Sequence, residues 1–233
     1  MTAKKIIRLS SNPKGFGTNR DELDIESFDS ELPIQNTQSY FENADIGLFV
    51  GLWDTTVMIE KPGAYDCDEL MFLLEGEVEI KNNRTGKIEK IIAGEAFVIP
   101  KGYDCQWIQK GYCRKFYMIS ENPTEEIPAN PSVEGIVILR KNETVEQGNN
   151  IAYQNHNNKF NAGTWSTQSF ETDFSAYSKN EIVQIVKGKL TLIDINDERH
   201  TFEKGEVFFI PQGAIAKWQS SDYLEVFYGS LKS

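Results

Sequence analysis

Two histidines, His156 and His200, are all that 233 residues contain. That scarcity rules out any site built on a histidine cluster, the commonest way to hold a transition metal. Basic residues are also in deficit, with 24 Lys and Arg against 35 Asp and Glu and a net charge of -11. No Lys/Arg cluster interrupts the acidity, so a phosphate backbone finds no complementary surface and nucleic-acid binding is not expected. Long apolar runs are absent too. Stretches such as residues 96–99 are far too short for a membrane span, and Met1 to Leu9 has no signal-peptide core, so no membrane partner and a cytoplasmic location are expected. Cysteine is sparse, and Cys67, Cys105 and Cys113, odd in number and confined to the first half, do not form a disulfide framework.

What the chain does contain is one pattern written twice. Trp53, Tyr65, Glu69 and Gly76 recur 112 residues later as Trp165, Tyr177, Glu181 and Gly188. Gly94, Pro100, Gly102, Trp107 and Tyr117 recur 111 later as Gly205, Pro211, Gly213, Trp218 and Tyr228. A repeat of that length is a whole small domain rather than a solenoid unit. The change of offset places a one-residue deletion between Gly76 and Gly94, where residues 82–86 read as a hairpin turn.

From Gly47 onward, short runs rich in Val, Ile, Phe and Trp are broken at close intervals by Gly, Pro, Asn or Asp, the signature of an antiparallel sandwich or barrel. Strands are predicted near 47–53, 55–60, 69–75, 77–81, 87–92, 96–99, 104–108 and 114–119, with matching runs from 159 to 229. The reading is all-β: an N-terminal arm over 1–38 with a short helix around Arg20 to Phe28, a domain over 39–120, a linker over 121–134 and a second domain over 135–233. Three prolines bar the linker from a helix or central strand.

Two signatures mark each copy. One is Glu69 to Gly76, repeated as Glu181 to Gly188: an acid, six mostly apolar residues and a turn glycine. The other is Gly94-Glu-Ala-Phe-Val-Ile-Pro-Lys-Gly102, repeated as Gly205-Glu-Val-Phe-Phe-Ile-Pro-Gln-Gly213. Together they resemble the two motifs of the cupin superfamily, over roughly 47–119 and 159–229. The Gly-x-Trp ahead of the first motif is similar to the subgroup of ureidoglycine aminohydrolase-like and ethanolamine-utilisation-type cupins. The resemblance implies two double-stranded β-helix domains, RmlC-like jelly rolls in a bicupin, with the site inside the β-barrel.

Metal-dependent cupins carry three histidines and a glutamate at these motifs. Here the histidine positions are Gly63, Tyr65 and Cys105 in the first copy and Ser175, Tyr177 and Ala216 in the second, with Glu69 and Glu181 retained. By period-two alternation Tyr65, Cys67, Glu69 and Met71 share a face, with Cys105 and Trp107 opposite. Glu69, Tyr65 and Cys105 are the candidate catalytic groups, and Cys67, Met71 and Trp107 candidate ligand contacts. Cys67, Glu69 and Cys105 could hold a zinc or iron ion, although buried free cysteines are more often plain packing residues. In the second copy Tyr177, Lys179, Glu181 and Trp218 form a polar set over an aromatic floor, Lys179 neutralising Glu181, and no metal is expected.

Three functions follow as alternatives. The first is a bicupin with degenerate ligand positions that binds a small polar metabolite in its first domain without a cofactor. The second is a hydrolase-like enzyme of small nitrogen-containing substrates that uses Glu69, Tyr65 and a Cys67/Cys105 metal or thiol centre. The third is an assembly protein. The duplication is compatible with a monomer or a homodimer.

Overall fold

The computed structural model describes residues 4–121, 134–141 and 147–232. Most of the predicted linker lies outside them. Strand β1 (Ile7–Leu9) comes first in the chain. The first repeat then forms β2 (Gln35–Asn43), β3 (Leu48–Thr55), β4 (Met58–Ile59), β5 (Gly63–Ala64), β6 (Asp68–Glu75), β7 (Glu77–Asn82), β8 (Ile88–Ile92), β9 (Ala96–Ile99), β10 (Asp104–Gln109) and β11 (Cys113–Ser120). After β12 (Val137–Leu139) the second repeat forms β13 (Gly148–Gln154), β14 (Phe160–Thr167), β15 (Phe170–Glu171), β16 (Ser175–Ala176), β17 (Asn180–Lys187), β18 (Lys189–Asp194), β19 (Arg199–Glu203), β20 (Val207–Ile210), β21 (Ile215–Ser220) and β22 (Leu224–Leu231).

Each repeat folds into two sheets. In the first, a six-stranded sheet runs β12-β9-β6-β11-β3-β2 and faces a second sheet, β4-β10-β7-β8, in which β5 also pairs β10. The second repeat reproduces this order strand for strand, as β1-β20-β17-β22-β14-β13 and β15-β21-β18-β19 with β16 on β21. Identical strand order is what duplication of a jelly roll requires. Among the described residues the sheets do not join into one hydrogen-bonded ring, so the expected barrel is an open two-sheet jelly roll. The offset change falls in the β7–β8 and β18–β19 hairpins, where the connection shortens from five residues to four.

Alternation explains where the core sits. Met71 and Leu73 on β6 meet Val78 and Ile80 on β7, Phe97 and Ile99 on β9 and Trp107 on β10 between the sheets. Val183, Ile185, Leu190, Leu192, Phe208 and Ile210 do the same in the second repeat. The glycine that ends each first motif is fixed by close approach. Gly76 has φ 84°, and a Cβ there would lie 2.1 Å from the Tyr112 carbonyl oxygen; Gly188, with φ 86°, stands 2.2 Å from that of Tyr223. No L side chain fits either position.

The ends of the repeats depart from the sequence reading. Residues 1–38 do not form a separate arm, because β1 joins the second repeat's sheet and β2 starts at Gln35. The chain divides into one compact unit of residues 1–10 with 139–233 and another of 11–138. The leading short strand of each repeat thus completes the six-stranded sheet of the other repeat's unit. Strands β1, β2, β12 and β13 escaped prediction because they are very short or polar, as in Gln35-Asn-Thr-Gln-Ser-Tyr-Phe-Glu-Asn43. The predicted short helix contracts to a 3-10 turn over Ile25–Ser27, capped by the Asp24 carboxylate.

Candidate functional site

The same backbone device positions the first-motif tyrosine in both repeats. Tyr65 receives the amide of Gly102 at 2.7 Å and donates its own to the Tyr103 carbonyl at 3.0 Å. Tyr177 does likewise with Gly213 at 2.7 Å and Ala214 at 2.8 Å. The residue before each glutamate ties down the same loop, Asp68 accepting from the Lys101 amide at 2.9 Å and Asn180 from the Gln212 amide at 3.0 Å. The Pro-x-Gly turn of motif two is therefore clamped to motif one, and this aims the tyrosine hydroxyl at the glutamate. Tyr65 donates to Glu69 Oε2, and Tyr177 donates to Glu181 Oε2.

Each glutamate has a lysine on its other oxygen. Lys115 Nζ lies 2.8 Å from Glu69 Oε1, and Lys179 Nζ lies 3.0 Å from Glu181 Oε1. These lysines are not repeat equivalents. At the offsets above, Lys179 corresponds to Cys67 and Lys115 corresponds to Val226. The cation is thus supplied from different elements, from β11 in one repeat and from the loop ahead of β17 in the other, while the Tyr–Glu–Lys arrangement is the same. The sequence reading found Lys179 and missed Lys115, which lies beyond both motifs. A lysine in an otherwise apolar strand, Lys115-Phe-Tyr-Met-Ile119, was the available signal.

The change of route alters the space beside each repeat's glutamate. In the first, the Lys115 ammonium sits between the rings of Trp53 and Trp107, 4.8 Å from each centroid, and donates to Met71 Sδ at 3.0 Å. Lys115 and Glu69 are both buried there. In the second, valines replace the long side chains, Val183 for Met71 and Val226 for Lys115. A cavity of about 480 Å³ opens there, bounded by Trp165, Tyr177, Lys179, Glu181, Val183 and Val226. Tyr177 stacks on Trp218 with ring centroids 5.6 Å apart and planes 7° off parallel, and Trp165 meets Trp218 edge-on at 6.3 Å. The Trp218 indole N–H is buried without a partner. Gln109 accepts from the equivalent Trp107 at 3.2 Å, and Ser220 stands in its place.

The cysteines do not gather. Cys105 packs in the apolar core with Tyr103 and Trp107, and the nearby charges acting on it are Glu60 and Asp104 rather than Glu69. Burial pushes its thiol up to about 12, and burial followed by Glu69 and Asp66 holds the Cys67 thiol well above its ordinary range. Cys113 is likewise core, its thiol pushed up by burial to about 11. Glu69 already accepts from Lys115 and Tyr65, and Cys67, Glu69 and Cys105 do not form a group with ligand atoms all within 4.8 Å of one another. Among the described residues, the His, Cys, Asp and Glu trio with ligand atoms all within 4.8 Å is Asp194, Glu198 and His200, on the β18–β19 hairpin and away from the motifs. There Asp194 already accepts the amides of Asn196 and Glu198.

Glu60, at the edge of the first-repeat site, has its carboxyl raised from 4.5 to about 7 by burial, with Lys115 opposing and Glu69 and Asp66 adding to the shift. A carboxyl with a raised folded value keeps a proton that the unfolded chain has released. Stability therefore falls as pH rises from about 4.5 to 7 and levels off above that window. The thermal midpoint of the first repeat should decline across this range, and Glu60→Gln should flatten the profile. An unchanged slope in the variant would place the titration elsewhere.

A family model described as EutQ-like cupin domain matches residues 50–117 and 155–228, more than half of the chain. No curated protein matches the sequence. Among solved structures, a protein of unknown function from Pseudomonas syringae pv. tomato str. DC3000, of the DUF861 family, is similar at a TM-score of 0.77 and 18% identity, covering 97% of this chain and 99% of its own. Ylba from E. coli, also of DUF861, gives 0.60 and 11%, with 99% and 92% covered. A salicylate 1,2-dioxygenase from Pseudaminobacter salicylatoxidans gives 0.55 and 13%, with 83% and 75% covered. At these identities the likeness is one of fold.

Proposed function

We propose that this chain, which belongs to the EutQ-like cupin family, is a metal-independent cupin that binds a small polar metabolite in its second jelly roll. The observation that carries this reading is the 480 Å³ cavity, a size suited to a small molecule, with Lys179 and Glu181 set among aromatic walls. It transfers the expected binding site from the first domain, where Lys115 occupies the interior, to the second. In both repeats a lysine ammonium takes up the charge of the retained glutamate, the role a metal ion would play. Both Glu181 oxygens are engaged by Lys179 and Tyr177, and burial, followed by Glu181, holds the Tyr177 hydroxyl well above its ordinary range, so the tyrosine is not poised to give up its proton near neutrality. Binding rather than acid/base turnover is the function this arrangement supports.

Val183→Met tests the reading, because methionine is what the first repeat carries at that position. Filling the cavity should abolish ligand-induced stabilisation in a thermal-shift screen of small metabolites. The midpoint of the free protein should stay level or rise, since the extra side chain occupies empty space. A ligand that stabilises the variant and the parent equally would place binding outside the second jelly roll.

A further inference from the structure

The chemical class of the ligand can be narrowed from the unused hydrogen-bonding capacity of the cavity, an inference that rests on the binding reading above. The Glu181 carboxylate, the one formal negative charge in the lining, has one oxygen on Lys179 and the other on Tyr177. The Asn149 side chain is bonded to the Tyr228 hydroxyl. Thr172 Oγ1 accepts the Trp218 amide at 2.9 Å, which leaves its O–H to donate. Lys179 is different. Its side chain is 29% exposed, its ammonium makes one bond to Glu181, and it has further N–H donors on the cavity side, near the Tyr228 ring at 5.2 Å. Ser175 adds a hydroxyl, the buried Trp218 indole N–H has no partner, and the remaining lining, Trp165, Phe170, Val183 and Val226, is apolar or flat.

A cavity whose one carboxylate is bonded on both oxygens, and whose lysine ammonium and Trp218 indole N–H have donors to spare, selects an acceptor, and an ammonium among aromatic walls selects a charged one. We infer that the second jelly roll takes a small organic acid, its carboxylate on Lys179 and a flat or apolar body against Trp165 and Phe170. Lys179 cannot be replaced in this role by Lys115, whose ammonium is enclosed by two indoles and Met71 in the first repeat. Among the described residues, the acid site argued here belongs to the second repeat alone.

Benzoate, benzamide and benzylamine form a matched set of probes with one body and an anionic, neutral or cationic head. Titrated into the full chain and followed by saturation-transfer NMR and tryptophan fluorescence, benzoate should bind at least about tenfold tighter than either other probe, the worth of one charge-assisted hydrogen bond. Lys179→Met should remove that preference and Lys179→Arg should keep it, which separates lost charge from lost folding. If the three probes bind equally and Val183→Met abolishes all three, the cavity is a binding site without acid selectivity and the present inference fails alone. Tighter binding of benzylamine would overturn it in the opposite sense. If no probe shows binding sensitive to Val183→Met, the cavity reading itself falls.

Discussion

Lys115→Ala should destabilise the unit of residues 11–138 by about 3–5 kcal/mol, the usual cost of removing one partner of a buried ion pair. Side-chain exposures of 7% for Lys115 and 5% for Glu69 mean that water cannot replace the lost ammonium. The cation also stabilises through the faces of Trp53 and Trp107, and that contribution goes with it. For a unit of this size the thermal midpoint should drop by about 10 °C or more. Removing both charges is a different perturbation. Lys115→Met with Glu69→Gln leaves the Tyr65 hydroxyl an acceptor and adds no unpaired charge, so most of the loss should be recovered. Denaturant unfolding of the two variants gives both numbers. If Lys115→Ala costs under about 1 kcal/mol, the pair is not what holds the first interior together.

Much of this arrangement could be read from residue order alone. The 112 and 111 offsets located the duplication, the deletion and the two motifs, and alternation placed Tyr65 with Glu69 and Tyr177, Lys179 with Glu181. These residues are neighbours along one strand or loop, where period two constrains direction. Contacts across the fold were harder. Alternation sets Cys105 and Trp107 opposite the face of Tyr65, Glu69 and Met71, and Cys105, Trp107 and Met71 share one core cluster against which Tyr65 packs, but the charges acting on Cys105 are Glu60 and Asp104. Lys115 arrives from β11, about forty residues after the motif it completes, and no local pattern ties it to Glu69. The cavity in the second repeat was nevertheless encoded. Pairing Met71 with Val183 and Lys115 with Val226 shows two long side chains exchanged for short ones, a comparison the repeat itself invites.

Edge pairing is the feature least visible in sequence, and it leads to the other large expected effect. Deleting residues 1–10 should destabilise the second repeat while leaving the unit of residues 11–138 with its own transition. Strand β1 pairs antiparallel with β20 in the register Ile7 to Phe209, Arg8 to Phe208 and Leu9 to Val207. Every residue of β20 is fully buried, and Leu9 is buried with it. The Arg8 guanidinium stacks on Phe202, 4.2 Å from the ring centroid, and bonds the Glu206 carboxylate and the Thr201 carbonyl. Loss of a three-residue ladder at about 1 kcal/mol per bond, together with about 1.5–3 kcal/mol for Leu9, gives a cost of about 4–6 kcal/mol. The deletion also bares the backbone of an apolar edge strand, so the truncated chain should associate in a concentration-dependent manner. Amide exchange of Val207 to Ile210 should accelerate, and a synthetic peptide of residues 4–11 should restore protection by refilling the edge. Unchanged exchange at β20 after truncation would mean that β1 lies against the sheet without supporting it.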